Sequence, residues 1–327
     1  MNFADRLIEK INEKESPLCV GIDPRPENLP QELKDKWMAE LPGDVWQATL
    51  NATEEWCIEV VNAVKDEAAV VKPQYAFFEI FGAPGIEMFE KVRNEARGHG
   101  LLVIGDGKRN DIGATAEYYS RAHLGRIPLI NGAEITGRAD LDALTVNAYL
   151  GIDGVDPFIK DCTERGKGIF VLVKTSNKSS GDIQDLEGRF EGKEGKVYER
   201  MAQLVDAWGA PLKGEQGYSP IGAVVGVTKP EEARAIREIM PSTFILGPGF
   251  GAQGGTAEDA VIIFGKDGYG AIINSSRGVI FAYERGYKDY KERGWTWQDA
   301  VKHSARDSKV KIVNALKEAK KLPSGWK

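Results

Sequence analysis

Asp106-Gly107-Lys108-Arg109-Asn110-Asp111 places two carboxylates around an ammonium within six residues. Side chains two positions apart on an extended segment share a face, so Asp106 and Lys108 can point the same way. Lys72, in VVKPQYAFFE, and Asp23, in LCVGID, each end an apolar run, as do Asn147 and the pairs Thr175-Ser176 and Ser276-Arg277. Charged groups at such positions are expensive to desolvate unless they pair with one another or act on a ligand. A single Asp–Lys contact reads equally well as a structural ion pair, and Asp111 alone as a carboxylate favoured at a helix N-terminus. Several charges converging on one rim read as a site. A second chemistry is written in Gly247-Pro248-Gly249-Phe250-Gly251-Ala252-Gln253-Gly254-Gly255, where small residues let backbone N–H groups approach an anion. Arg277 supplies a planar fork for phosphate oxygens and Gln253 a flexible donor. The glycine-rich loop by itself is also what a plain turn looks like; its pairing with SSRG is what points to phosphate.

The elements that must position these groups alternate along the chain. Short apolar runs at 18–23, 68–72, 101–106, 143–147, 168–174, 221–226, 243–247 and 270–274 read as parallel strands covered on both faces. Helical patterns lie near 47–66, 84–97, 111–124, 153–165, 194–208, 229–239, 256–264 and 296–320, with Pro84 and Pro230 near helix starts. Eight such units predict an α/β chain of the (β/α)₈ TIM-barrel class, forming a single domain over 1–327. Phe3, Leu7, Ile8 and Ile11 share one face of an N-terminal helix. Extended insertions are expected at 24–46, 124–142 and 175–196, the last, rich in Ser, Gly, Lys and Asp, as a mobile surface segment. In a barrel the strand C-terminal ends carry the site, with phosphate held after the seventh and eighth strands.

Composition narrows the partners. A net charge of −6 argues against nucleic acid, whose backbone needs a basic surface. No apolar run approaches the ~20 residues that span a bilayer, so no membrane partner is expected. The N-terminus lacks the pattern of a signal peptide. Cys19, Cys57 and Cys162 are odd in number and widely spaced, which fits reduced thiols in the cytoplasm and neither a disulfide frame nor a zinc site. His99, His123 and His303 fall on helices or their ends and suggest no metal site or catalytic triad.

Lys72 followed by Asp106, Lys108 and Asp111 resembles the Lys-Asp-Lys-Asp tetrad of the orotidine 5′-monophosphate decarboxylases. The similarity extends through LCVGIDPRPENLP, GDGKRNDIGATA, LVKTSN, GPGFGAQGG and INSSRG, and looks like the longer bacterial subgroup of that family. The resemblance implies a small nucleotide substrate, conversion of orotidine 5′-monophosphate to UMP and CO₂ in pyrimidine biosynthesis, no cofactor and no metal. It also implies a homodimer whose sites are shared, with Asp111 and Thr115 contributed by the neighbouring subunit. Lys108 would stabilise the carbanion at C6 and protonate it, with Asp106 and Asp111 keeping its charge. Lys72 and Asp23 would meet the ribose and Ser176 the pyrimidine. Gly113 stands where the family commonly has proline, which puts the shape of that loop in question. Two other readings stay open: a Mg²⁺-dependent sugar-phosphate decarboxylase or aldolase of the same superfamily, and a non-catalytic phosphate-binding barrel. The first expects an acidic metal ligand near the end of the second strand, where this chain has Lys72; the second leaves the charged tetrad unexplained.

Overall fold

The computed structural model describes residues 1–250 and 255–326. Eight strands form a closed, all-parallel barrel: β1 (Leu18–Ile22), β2 (Val70–Pro73), β3 (Leu102–Arg109), β4 (Ala143–Val146), β5 (Gly168–Lys174), β6 (Ser219–Val225), β7 (Thr243–Gly247) and β8 (Ala271–Ser275). β1 closes the cylinder by pairing with both β2 and β8. Each strand but the last leads through at least one helix to the next, as a parallel pair requires. The (β/α)₈ class read from the sequence is the fold.

Strand periodicity divides the apolar residues into two cores. Cys19, Val70, Ile104, Phe170, Phe244 and Ile272 point inward and fill the barrel. Val20, Val71, Val103, Val171 and Ile273 point outward, against helices that contribute Trp56, Phe89 and Phe158. The N-terminal helix Phe3–Lys14 packs Phe3, Leu7, Ile8 and Ile11 into the inner core, with the Phe3 ring edge-on to Phe170 at 5.9 Å. A side chain at Gly168 would collide with that ring, so glycine there lets the helix seat. The plug leaves the mouth at the strand C-terminal ends for function.

The three long insertions are structured. Residues 24–46 contain the helix Gln31–Glu40, and 124–142 hold a hairpin pairing Arg126–Pro128 with Glu134–Thr136. Segment 175–196, expected to be mobile, folds as the short helix Gly181–Gln184 and a hairpin pairing Glu187–Phe190 with Lys193–Lys196. It is fastened by Lys174, whose Nζ pairs with Asp185. Among the described residues no helix is long and apolar enough to cross a membrane.

Candidate active site

At the end of β3 the barrel wall is irregular. Gly105 pairs with Leu144, yet the next pairing joins Arg109 to Val146, so two extra residues bulge from β3. Lys108 takes φ +46°, a left-handed conformation that costs a non-glycine residue of order 1–3 kcal/mol. The two-residue shared-face expectation for Asp106 and Lys108 holds in outcome, but through a bulge and not an extended strand. Asp106 becomes the hub. Its Oδ2 accepts from Lys72 Nζ at 2.6 Å, and its Oδ1 from Lys108 Nζ at 2.5 Å and from Thr145 Oγ1 at 2.9 Å. Thr145 in turn accepts from the Lys108 backbone N–H at 3.0 Å, tying the bulge to β4.

Asp106 and Lys72 are buried, whereas the Lys108 side chain is 45% exposed toward the mouth. Burial opposes charge on Asp106, but Lys72 and Lys108 outweigh it and hold the carboxyl far below the usual carboxylate range. Burial likewise opposes charge on Lys72; Asp106 and Asp23 outweigh it and raise the ammonium above its ordinary value. Such a buried cluster contributes little to stability compared with apolar packing. What it supplies is fixed charge in a place of low dielectric.

Asp23 lies at the end of β1. Burial pushes its carboxyl above the usual range, with Lys72 opposing, and its Oδ1 is buried without a hydrogen-bond partner among the described residues. A buried acceptor left open in this way suits a ligand hydroxyl. Asp23, Lys72, Asp106, Lys108 and Ser176 line one cavity of about 520 Å³, large enough for a small nucleotide. A side chain at Gly21 would strike Ser276, which does line the cavity.

Several cavity residues were not anticipated from sequence. Thr145 is the one polar residue of β4, a signal that was available. Gln74 and Phe77 follow Lys72, and Gln184 reaches the cavity from the 175–196 insertion. Gln184 is fixed to Thr175 by two hydrogen bonds, accepting from the Thr175 N–H at 2.9 Å and donating to Oγ1 at 2.8 Å. No local pattern announces that approach.

Other expected residues lie apart. Asp111 makes no ion pair among the described residues; its Oδ1 accepts from the Ile112 N–H at 2.8 Å. Thr115 is exposed on the first turn of helix Gly113–His123. Neither lines the cavity of its own chain. Gly113 has φ +54°, which proline cannot adopt, so the loop differs in path from one with proline there. Arg277 opens the short helix Arg277–Ile280, one residue past Ser276, which lines the cavity. Gln253 lies outside the described residues. Asn147, at the end of β4, caps a turn by accepting from the Tyr149 N–H at 3.0 Å.

Residues 16–288 match the model of the orotidine 5′-phosphate decarboxylase / HUMPS family. The chain is 41% identical over 307 residues to the orotidine 5′-phosphate decarboxylase of Caldicellulosiruptor saccharolyticus, covering 93% of this chain and 98% of that one. It is 42% identical over 302 residues to the enzyme of the same name from Rhodopirellula baltica, covering 92% and 96%. Among solved structures it is similar to Leishmania donovani OMP decarboxylase, with a TM-score of 0.70 at 27% identity, covering 96% of this chain and 99% of that one.

Proposed function

The chain belongs to the orotidine 5′-phosphate decarboxylase / HUMPS family, and we propose from that premise that it converts orotidine 5′-monophosphate to UMP and CO₂ in pyrimidine biosynthesis. The observation that carries this reading is Asp106, buried between two ammonium groups, one of which opens onto a nucleotide-sized cavity. Loss of CO₂ breaks the C6–carboxylate bond and leaves its electron pair on C6. Lys108 provides a fixed positive charge for that pair and then transfers a proton from Nζ to C6. Asp106 holds Lys108 and Lys72 in place and sets a negative charge near the departing carboxylate. Lys72 and Asp23 bind the ribose, Asp23 through its open acceptor, and Ser176 meets the pyrimidine. Arg277 and Gln253 hold the phosphate.

The enzyme acts as a homodimer in the cytoplasm, with Asp111 and Thr115 of one subunit completing the other's site. Support for the pairing is a set of exposed apolar side chains: Ile112 and Tyr118 follow Asp111 in the chain, and Tyr149, Leu150 and Ile152 lie in the segment leading to Gly154, which packs against the Asp111 backbone. Support for the compartment is three buried, free cysteines. Against the sugar-phosphate rival stands Lys72, whose buried ammonium would repel a divalent cation at the end of β2. The test is turnover of orotidine 5′-monophosphate with EDTA present. Undiminished release of CO₂ is expected; dependence on added Mg²⁺ favours the sugar-phosphate reading, and no turnover favours a binding protein.

A further inference from the structure

Arg109 follows Lys108 but faces the opposite side of the barrel wall, pairing in register with the outward Val146. Beneath the bulge its guanidinium makes three polar contacts. Nη1 donates to the Gly107 carbonyl at 3.1 Å, Nε to His123 Nε2 at 3.1 Å, and Nη2 to Glu79 Oε1 at 2.8 Å. The group lies over the Tyr75 ring at 4.8 Å, and that ring stacks on Phe89 at 4.2 Å. Tyr75 closes the circuit: its hydroxyl meets His123 Nδ1 at 3.2 Å, and its backbone N–H donates to the Asp106 carbonyl at 3.3 Å.

Arginine offers donors only, so His123 Nε2 must carry a lone pair. The ring proton then sits on Nδ1 and is donated to the Tyr75 hydroxyl oxygen. Burial, followed by the charge of Arg109, keeps the imidazole neutral with a pKa lowered to about 3. His123 is therefore a permanent acceptor for Arg109 across the working pH range. The carbonyls of Asp106 and Gly107 are both held from below, and these are the peptide groups that set the direction of Lys108.

We propose that Arg109, oriented by His123 and Tyr75, is a positioning residue that fixes the Gly107 carbonyl and so holds Lys108 in the left-handed conformation that aims its ammonium at Asp106 and the cavity. This rests on the decarboxylase reading and adds to it a residue that touches no substrate. The reason for an arginine is geometric, because a planar fork serves three acceptors at once where a lysine serves as a point charge.

The experiment is kinetic. Arg109→Ala should lower kcat about 10²-fold, the loss expected when a reacting group moves by on the order of 1 Å. KM and the affinity for UMP should stay within about threefold of wild type, because the lost interaction matters to the transition state. Guanidinium ion added in solution should recover part of kcat in Arg109→Ala and none in Lys108→Ala, a distinction that general loosening would not produce. Should Arg109→Ala fail to fold, His123→Phe carries the test. It keeps an aromatic ring beside Tyr75 but removes the acceptor, and should cost about tenfold in kcat, regained in His123→Gln through its side-chain carbonyl. Wild-type turnover measured alongside separates the two readings. An inactive wild type removes the decarboxylase assignment. An active wild type with both variants within about threefold of its kcat, or with losses confined to KM, overturns the positioning role alone.

Discussion

Of the lysines held by carboxylates near the strand ends, Lys108 and Lys174 act on opposite sides of the barrel wall. Lys108, on β3, lies within a bulge of two extra residues, which preserves inward parity with Asp106 and turns its ammonium to the cavity. Lys174, on β5, follows a register shift of one residue that pairs it with the outward Val225. Its Nζ is sealed behind the wall, 5.0 Å from the centre of the Tyr198 ring, beside Asp185 and 3.4 Å from Glu232. Both are ammonium groups paired with a carboxylate, so an ion pair does not by itself mark a site. What separates the two is a strained backbone and an open volume beside the ammonium at Lys108. At Lys174 the same chemistry fastens an insertion.

That contrast can be pressed experimentally. Lys108→Ala should give the largest effect, a loss of at least about 10²–10³ in kcat with folding and UMP affinity retained; steady-state kinetics and circular dichroism check both. A variant keeping more than about a tenth of wild-type activity would remove Lys108 from the chemistry. Arg277→Ala should come next, lowering kcat/KM at least about tenfold through loss of a charge-assisted phosphate contact. Orotidine without its phosphate should turn over far more slowly than the monophosphate. Added phosphite should recover more of that loss in wild type than in Arg277→Ala, because binding energy at the phosphate is used in the transition state. Lys174→Met should show the smallest kinetic effect, with kcat of the folded protein within about threefold. Its thermal unfolding should reveal a loss of about 1–3 kcal/mol, less than for a fully buried pair because Asp185 is partly in water. A kcat loss near that of Lys108→Ala would erase the distinction between the clusters.

The barrel was legible because its strands are continuous apolar runs, and β5 and β7 begin and end where the runs do. The rim charges were legible for the same reason, standing out at the ends of those runs. Bulges were not, since they depend on the register of the neighbouring strand, and they decide which way Lys108, Arg109 and Lys174 face. The first insertion hairpin did carry a turn signal in Asn131-Gly132. The second hides its signal, because Glu191 and Gly192 both take positive φ and glutamate is an unusual residue for that turn. Gln184 is held at the cavity by its bonds to Thr175 and by the neighbouring Lys174–Asp185 pair, contacts between residues nine and eleven apart. His123 reads from the sequence as neither catalyst nor metal ligand, and its place under the β3 bulge is visible only in three dimensions.

The central claim is that the Lys72–Asp106–Lys108 cluster is catalytic and is completed by Asp111 of a second subunit. Mixing the Lys72→Ala and Asp111→Asn proteins tests it most directly. Each should be nearly inactive alone, and after verified subunit exchange about half the dimers should be mixed. Each mixed dimer then has one site with both native groups, so activity should rise toward roughly a quarter of wild type. If exchange is verified and activity does not return, Asp111 does not act across an interface and the shared-site account is wrong.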